Sequence, residues 1–492
     1  ALAVEGGGDL PPEERARRER ARESAEGIVA YDADPPLRRA TFALGGQIVL
    51  ADLDSGTVEL LPTVSGGFDP RISPDGAAVA YVAGRALRVV RDGADREVVS
   101  EEEPTVSWGA AEFIAAEEMG RTRGFWWSPD SGRLLVERVD VAPIDRWWIS
   151  APVTPMVEPT GIRYPAAGTA NAGVALAILD RDGGGRVDVD WTGGEGWEYL
   201  ADASWTEAGL VLTVQSRDQR VLAVLDVDPA DGAVEERYRM EDEHWVELVP
   251  GVPALHGDRL VTVEDLGPAR RLCVDGAPLT GDGVQVRRVI DVGDEGIVIA
   301  ASREPTTTGV ATVTWEGDLE WWANDPGVHG AVVGGPTVVD VRRSLMHDGV
   351  HVVIRSQGDQ TATIDDLAEV PPLELNVRLH RIGDRELATA LLLPAGDEGH
   401  EPLPVLLDPY GGPHAQRVQQ ARSMFHTSQW FADQGFAVVV VDGRGTPGRG
   451  PAFEREVRGD LAGPVLDDQI DALDELARLE PRLDLGRVAI RG

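Results

Sequence analysis

From about residue 36 to about residue 368 the chain repeats one local pattern, and that pattern limits its folds more than any single motif. Short runs alternating Val, Leu, Ile and Ala are separated by turns of Asp, Gly and Pro, as in "QIVLADLDSGTVELL" and "LVLTVQSRDQRVLAVLDVDPADG". Strand, tight turn and strand at this spacing describe antiparallel meanders. One phrase recurs: "ISPDGAAVAYV" from Ile72 and "WSPDSGRLLVERV" from Trp127, with a degenerate "WTEAGLVLTVQS" from Trp205. Reuse of an element points to a β-propeller, whose blades take roughly 40–45 residues each. Roughly 330 residues at that rate make seven or eight blades.

After residue 368 the texture changes. "VLLDPYGGPHAQ" (Val405–Gln416) is an apolar strand entering a glycine-proline turn, followed by a helix-like "SMFHTSQWFADQG". Then come the apolar strand "FAVVVVDGRG", a helical "GPVLDDQIDALDELARLE" and a last strand, "GRVAIRG". Buried strands alternating with helices mean an α/β parallel sheet. The expected organisation is an N-terminal arm over 1–35, a propeller over 36–368 and the first part of an α/β-hydrolase domain over 369–492. In the arm, "PPEERARRERARES" fits either an exposed helix with charge pairs or a mobile terminus.

Composition excludes several function classes. The formal charge is −38, and every one of the 46 basic residues is arginine. Such an acidic balance argues against nucleic-acid binding, which needs clustered cations. No apolar run approaches the roughly 18–20 residues of a membrane span. The one cysteine, Cys273, rules out an intrachain disulfide and fits a reducing compartment, so a cytoplasmic location is expected. No H-E-x-x-H or other close ligand spacing occurs among the nine histidines, so no metal and no cofactor is expected.

Four places carry candidate chemistry. Glu117 and Glu118, in "AEFIAAEEMGRTRGFWWSPD", are adjacent carboxylates that repel unless a cation lies between them. A substrate ammonium group, with three donors and one charge, suits such a pair. The competing reading is an i,i+4 surface pair of Glu117 with Arg121. Tyr410, in "DPYGGPHAQ", is placed to donate a hydrogen bond to a tetrahedral oxyanion, or else is a buried tyrosine with a satisfied hydroxyl. Asp442 and Arg444 of "DGRG" read as a structural turn and ion pair, without the lysine of a phosphate loop. Finally, "RVAIRG" is a strand followed by one glycine, which is how a G-x-S-x-G elbow begins. That motif occurs nowhere in the 492 residues; Gly492 opens it or is an ordinary turn glycine.

In order, "EFIAAEEM", "GFWWSPDSGRLLVERVD", "IRYPAAGTANAGVAL", "SRDQR" with "DEHWVEL", "YGGPHAQRV", "VVVVDGRGTPGRG" and "DDQIDAL" resemble the dipeptidyl peptidase IV branch of the prolyl oligopeptidase family of serine peptidases. The resemblance covers nearly the whole chain. It implies an eight-bladed propeller joined to an α/β-hydrolase domain, and a site in the cavity between them. It further implies that Glu117 and Glu118 anchor the free N-terminus of a peptide substrate, and that Tyr410 is the side-chain half of the oxyanion hole. The family's carbonyl-binding arginine is not assigned to a position. The family's serine, aspartate and histidine have no counterpart here. The expectation is therefore a parent exopeptidase releasing dipeptides with Pro or Ala second, and a fragment that is inactive by itself. Family members are often dimers, which makes a homodimer one expectation. A prolyl tripeptidyl aminopeptidase, an acylaminoacyl peptidase or oligopeptidase, and a non-catalytic propeller scaffold stay open as alternatives.

Overall fold

The computed structural model describes residues 15, 18, 27–192, 196–396, 399, 401–410 and 413–492. Of the N-terminal arm expected over 1–35, residues 1–26 lie outside the described residues except Arg15 and Arg18. The chain divides into two compact units, Ala1–Trp245 and Val246–Gly492.

In the first unit the alternating strand pattern becomes four sheets, over 32–60, 67–99, 106–189 and 199–241. Strand pairing begins at Asp32–Ala33, within the stretch assigned to the arm. The third sheet shows why its strands read as almost continuously apolar. Phe125, Trp127, Leu134, Val136, Ala177 and Leu179 enter one core cluster. Their neighbours Trp126, Leu135, Leu176 and Ile178 enter another. With side chains alternating across the sheet, both faces are covered, as in a blade between two blades.

The recurring phrase has a physical basis in its turn. Ser73 Oγ donates to Asp75 Oδ1 at 2.5 Å and accepts from Ala78 N at 2.9 Å. Ser128 repeats this with Asp130 at 2.5 Å and Arg133 N at 2.8 Å. Gly76 (φ +69°) and Ser131 (φ +60°) occupy the left-handed position. A third copy is Ser216-Arg217-Asp218-Gln219, with Ser216 Oγ donating to Asp218 Oδ1 at 2.7 Å and Gln219 at φ +61°. Trp205, where the degenerate repeat was placed, lies on the preceding strand Tyr199–Thr206. It precedes the turn between the first two strands of its sheet, the place that Ile72 and Trp127 hold in theirs, but that turn lacks the Ser-Asp pair, which appears instead at Ser216 between the second and third strands.

The second unit holds three further four-stranded sheets, over 254–278, 285–321 and 328–364. Among the described residues the two units hold seven blade sheets, so the eight blades implied by the resemblance are corrected to seven. A per-blade length of 40–45 residues overcounts because the third sheet carries an inserted hairpin, Arg146–Ile149 paired with Thr160–Arg163.

The segment from residue 377 forms one five-stranded sheet, ordered Val377–Ile382, Leu387–Leu392, Ala437–Asp442, Leu403–Leu407, Leu483–Ile490. It is mixed, where a parallel sheet was expected. Its first two strands form a hairpin, and Leu387–Leu392 runs antiparallel to Ala437–Asp442. The last three strands are parallel. Helix Gly463–Leu479 covers one face through Ala472, Leu473 and Leu476. Phe425 and Ala432 cover the other. Within this unit, Arg270 pairs with Asp265 at 2.8 Å and with Glu454 at 3.0 Å, tying the sheet over 254–278 to the α/β segment.

Asp130→Ala removes the acceptor for Ser128 Oγ and for Gly132 N (2.9 Å). It should cost about 1 kcal/mol of stability. A lower urea midpoint with an unchanged slope is the expected result.

Candidate active site

Glu117 and Glu118 end the short helix Phe113–Glu118. Its N-terminus is capped by Glu112, whose buried carboxylate accepts from Ile114 N at 2.7 Å and Ala115 N at 2.5 Å. Burial pushes the Glu112 carboxyl above its usual range, against the lowering effect of those two amides. At the other end Gly120 (φ +70°) takes the left-handed turn that only glycine adopts freely, and Arg121 N donates to the Ala115 carbonyl at 3.0 Å.

The position of Arg121 tests one reading of the glutamates, the surface pair with Glu117. Its guanidinium is buried and pairs with Glu137, which is fully buried. It also donates to the Leu200 carbonyl at 3.0 Å and to the Arg123 carbonyl at 2.8 Å. The surface pair Glu117–Arg121 is therefore not formed. Glu137 Oε1 also accepts from Glu112 N at 3.3 Å, so one carboxylate holds both the start of the helix and the residue beyond its end. Glu117 and Glu118 themselves are exposed and make no ion pair among the described residues. The helix is also held by an aromatic chain, with Phe113 against Tyr164 and Tyr164 against Trp147, each at 5.5 Å between ring centres. Gly124 has no room for a side chain: a Cβ there would sit 2.6 Å from the Ala110 carbonyl carbon.

Tyr410 belongs to the second unit, two residues beyond Asp408 at the end of strand Leu403–Leu407. It is 47% exposed and its hydroxyl has no hydrogen-bond partner among the described residues, so the buried, satisfied tyrosine is excluded. Gly411 and Gly412 of the same motif lie outside the described residues.

Two buried carboxylates hold the backbone on either side of Tyr410: Asp408, which sequence reasoning missed, and Asp442, expected as a structural residue paired with Arg444. Asp408 Oδ2 accepts from Ser428 Oγ at 2.7 Å and from Arg417 Nη2 at 3.0 Å. Arg491 Nε lies 3.0 Å from Asp408 Oδ1, an ion pair without hydrogen-bond alignment. Asp442 Oδ1 and Oδ2 accept from Arg417 N (2.9 Å) and Val418 N (2.8 Å). Burial raises the Asp442 carboxyl to about 6, opposed by the two amides and by Arg417 and Arg287. Arg444 pairs with Asp468 at 3.0 Å, so it and Asp442 serve separate anchors. Among the described residues there is no group of three metal-ligating side chains and no helix long and apolar enough to cross a membrane. The available signals were charged residues where strands should be apolar: Glu137 within "LLVERV" and Asp408 after "VLL".

Residues 26–263 match the model of the dipeptidyl peptidase IV N-terminal region, and residues 422–492 match that of the prolyl oligopeptidase family. An uncharacterized peptidase of Bacillus subtilis, YuxL, is 37% identical over 102 residues, covering 21% of this chain and 15% of that protein. A probable dipeptidyl-aminopeptidase B of Talaromyces marneffei is 24% identical over 484 residues, covering 85% of this chain and 53% of the relative. The chain thus spans about half the length, or less, of these curated relatives. The crystal structure of Porphyromonas gingivalis dipeptidyl peptidase 4 superimposes with a TM-score of 0.80 at 20% identity, covering 96% of this chain and 72% of that one.

Glu137→Gln leaves the Arg121 charge buried and unpaired, and should cost about 3–5 kcal/mol in thermal or urea unfolding. Asp442 gives a pH signature. Its folded value lies above the ordinary one, so the stability it contributes is full below about pH 4 and is lost as pH rises through about 6. Asp442→Asn should flatten the fall in stability across that window, read from melting temperatures at pH 4, 5, 6 and 7.

Proposed function

Because the chain belongs to the dipeptidyl peptidase IV branch of the prolyl oligopeptidase family, we propose that the whole protein is a serine exopeptidase releasing N-terminal dipeptides, with Pro or Ala at the second position. The observation that carries this reading is the unpaired state of Glu117 and Glu118. The nearest arginine in sequence is committed to Glu137, and no cation of the described chain neutralises the two carboxylates. A peptide's α-ammonium group supplies that charge and three donors.

In this mechanism the anchored ammonium fixes where the substrate starts. Each extended residue then advances roughly 3.3–3.6 Å, so the distance to the nucleophile selects the bond that is cut. One residue more would give tripeptides. The serine attacks the carbonyl with histidine as base and aspartate orienting it, and an acyl-enzyme forms. Tyr410, with its hydroxyl free, donates to the tetrahedral oxyanion beside a backbone N–H. In this reading the nucleophile acts from the carboxyl ends of the parallel strands, the side of the sheet on which strand Leu483–Ile490 ends. An endopeptidase would leave the paired glutamates without a task, which favours the exopeptidase.

The protein is further proposed to be a homodimer. The hairpin Arg146–Ile149/Thr160–Arg163 exposes Trp147, Trp148, Ile149, Val153, Met156 and Val157, an apolar surface that a second copy would cover. Sedimentation should show a dimer that Trp148→Glu dissociates.

The anchor is tested with the full-length enzyme. Free-amine dipeptidyl substrates should be cleaved, and their N-acetylated forms should lose at least about 100-fold in kcat/KM, or about 2.7 kcal/mol. Glu117→Gln and Glu118→Gln should each raise KM for the free peptide and narrow that ratio. Equal cleavage of blocked and free peptides removes the anchor from the mechanism.

A further inference from the structure

We propose that Asp408 is a positioning residue of the catalytic centre, its carboxylate tying the backbone that leads to Tyr410 to Arg417, to Ser428 and to the end of strand Leu483–Ile490. This rests on the reading of Tyr410 as oxyanion donor and adds the device that aims it. The Asp408 side chain is 1% exposed. It is approached by Arg417 from the loop after the tyrosine, by Arg491 from the end of strand Leu483–Ile490, and by Ser428 from helix His426–Ala432. A loop, a helix and a strand end thus converge on one carboxylate.

The backbone reinforces the same junction. Asp408 N donates to the Val439 carbonyl at 2.9 Å, and Arg491 N to the Leu407 carbonyl at 3.0 Å. The Arg491 guanidinium lies over the Phe431 ring at 4.8 Å, which fixes its direction. At the far end of the loop, Asp442 holds the amides of Arg417 and Val418. Asp408 before Tyr410 and Arg417 with Val418 after it are therefore each held by a buried carboxylate contact.

Stability alone does not call for this arrangement, because a buried ion pair contributes little net stability over an apolar replacement. It does supply direction, since charge-assisted bonds fix both distance and angle. Tyr410 has no hydrogen-bond partner of its own among the described residues, so its phenol is aimed only through its backbone. The junction lies at the carboxyl ends of parallel strands, where ligands of open α/β sheets bind. Reacting groups displaced by about 1 Å can lose about 100-fold in rate.

The test uses the full-length enzyme and a free-amine dipeptidyl substrate. Asp408→Asn should lower kcat about 10- to 100-fold with KM within about twofold. Combined with Tyr410→Phe it should be no slower than Tyr410→Phe alone, because Asp408 acts through the phenol. Should the two losses multiply, or KM rise as much as kcat falls, the positioning role is overturned. If Tyr410→Phe leaves kcat unchanged, the oxyanion reading itself fails, and it does so whatever Asp408→Asn shows. Arg491 provides a second route should Asp408→Asn not fold. Arg491→Met should lower kcat and Arg491→Lys should restore at least tenfold of it; equal rates for the two refute the proposal.

Discussion

The buried pairing of Arg121 with Glu137 is the interaction on which the rest of the candidate anchor depends. A guanidinium three residues past Glu118 would ordinarily neutralise a neighbouring glutamate at the surface. Here it is drawn inward by a carboxylate on the adjacent strand and by the Leu200 carbonyl. The helix end is left with two negative charges and no internal partner. Desolvating Arg121 and Glu137 is costly, and their geometry repays it only because nearly every polar atom finds a hydrogen bond. The same carboxylate receives the Glu112 amide, so the helix cannot shift without breaking the pair.

The α/β segment follows a related principle. Asp408 and Asp442 end adjacent parallel strands, and both hold Arg417, Asp408 through its guanidinium and Asp442 through its amide. Their surroundings differ. Asp408 faces two guanidinium groups and a hydroxyl, whereas Asp442 is held mainly by backbone amides and is pushed by burial towards the neutral form. One carboxylate gathers side chains, and the other braces the backbone amides of Arg417 and Val418.

Much of the architecture was legible because periodicity and turn chemistry are local. Alternating strands, the Ser-Pro-Asp turn and helix Gly463–Leu479 could all be read from neighbouring residues. Blade number could not, since it depends on how much chain the third sheet spends on its hairpin. The antiparallel strand pair that opens the α/β sheet was hidden for the same reason: apolar runs do not record direction. At the candidate site, Glu117, Glu118 and Tyr410 stood out by residue type and motif. Their supports did not, because Arg121, Glu137, Asp408 and Arg491 become partners only through contacts between segments distant in sequence. A charge inside an apolar strand marks such a partner without identifying it.

The order of strands in the five-stranded sheet also bears on biogenesis. Leu403–Leu407 emerges from the ribosome well before either of its neighbours, Ala437–Asp442 and Leu483–Ile490. The meandering sheets upstream close between successive hairpins and can form as they are made. The α/β segment must instead wait with an open, apolar edge until later strands arrive, and that interval is when a chaperone would find its recognition surface.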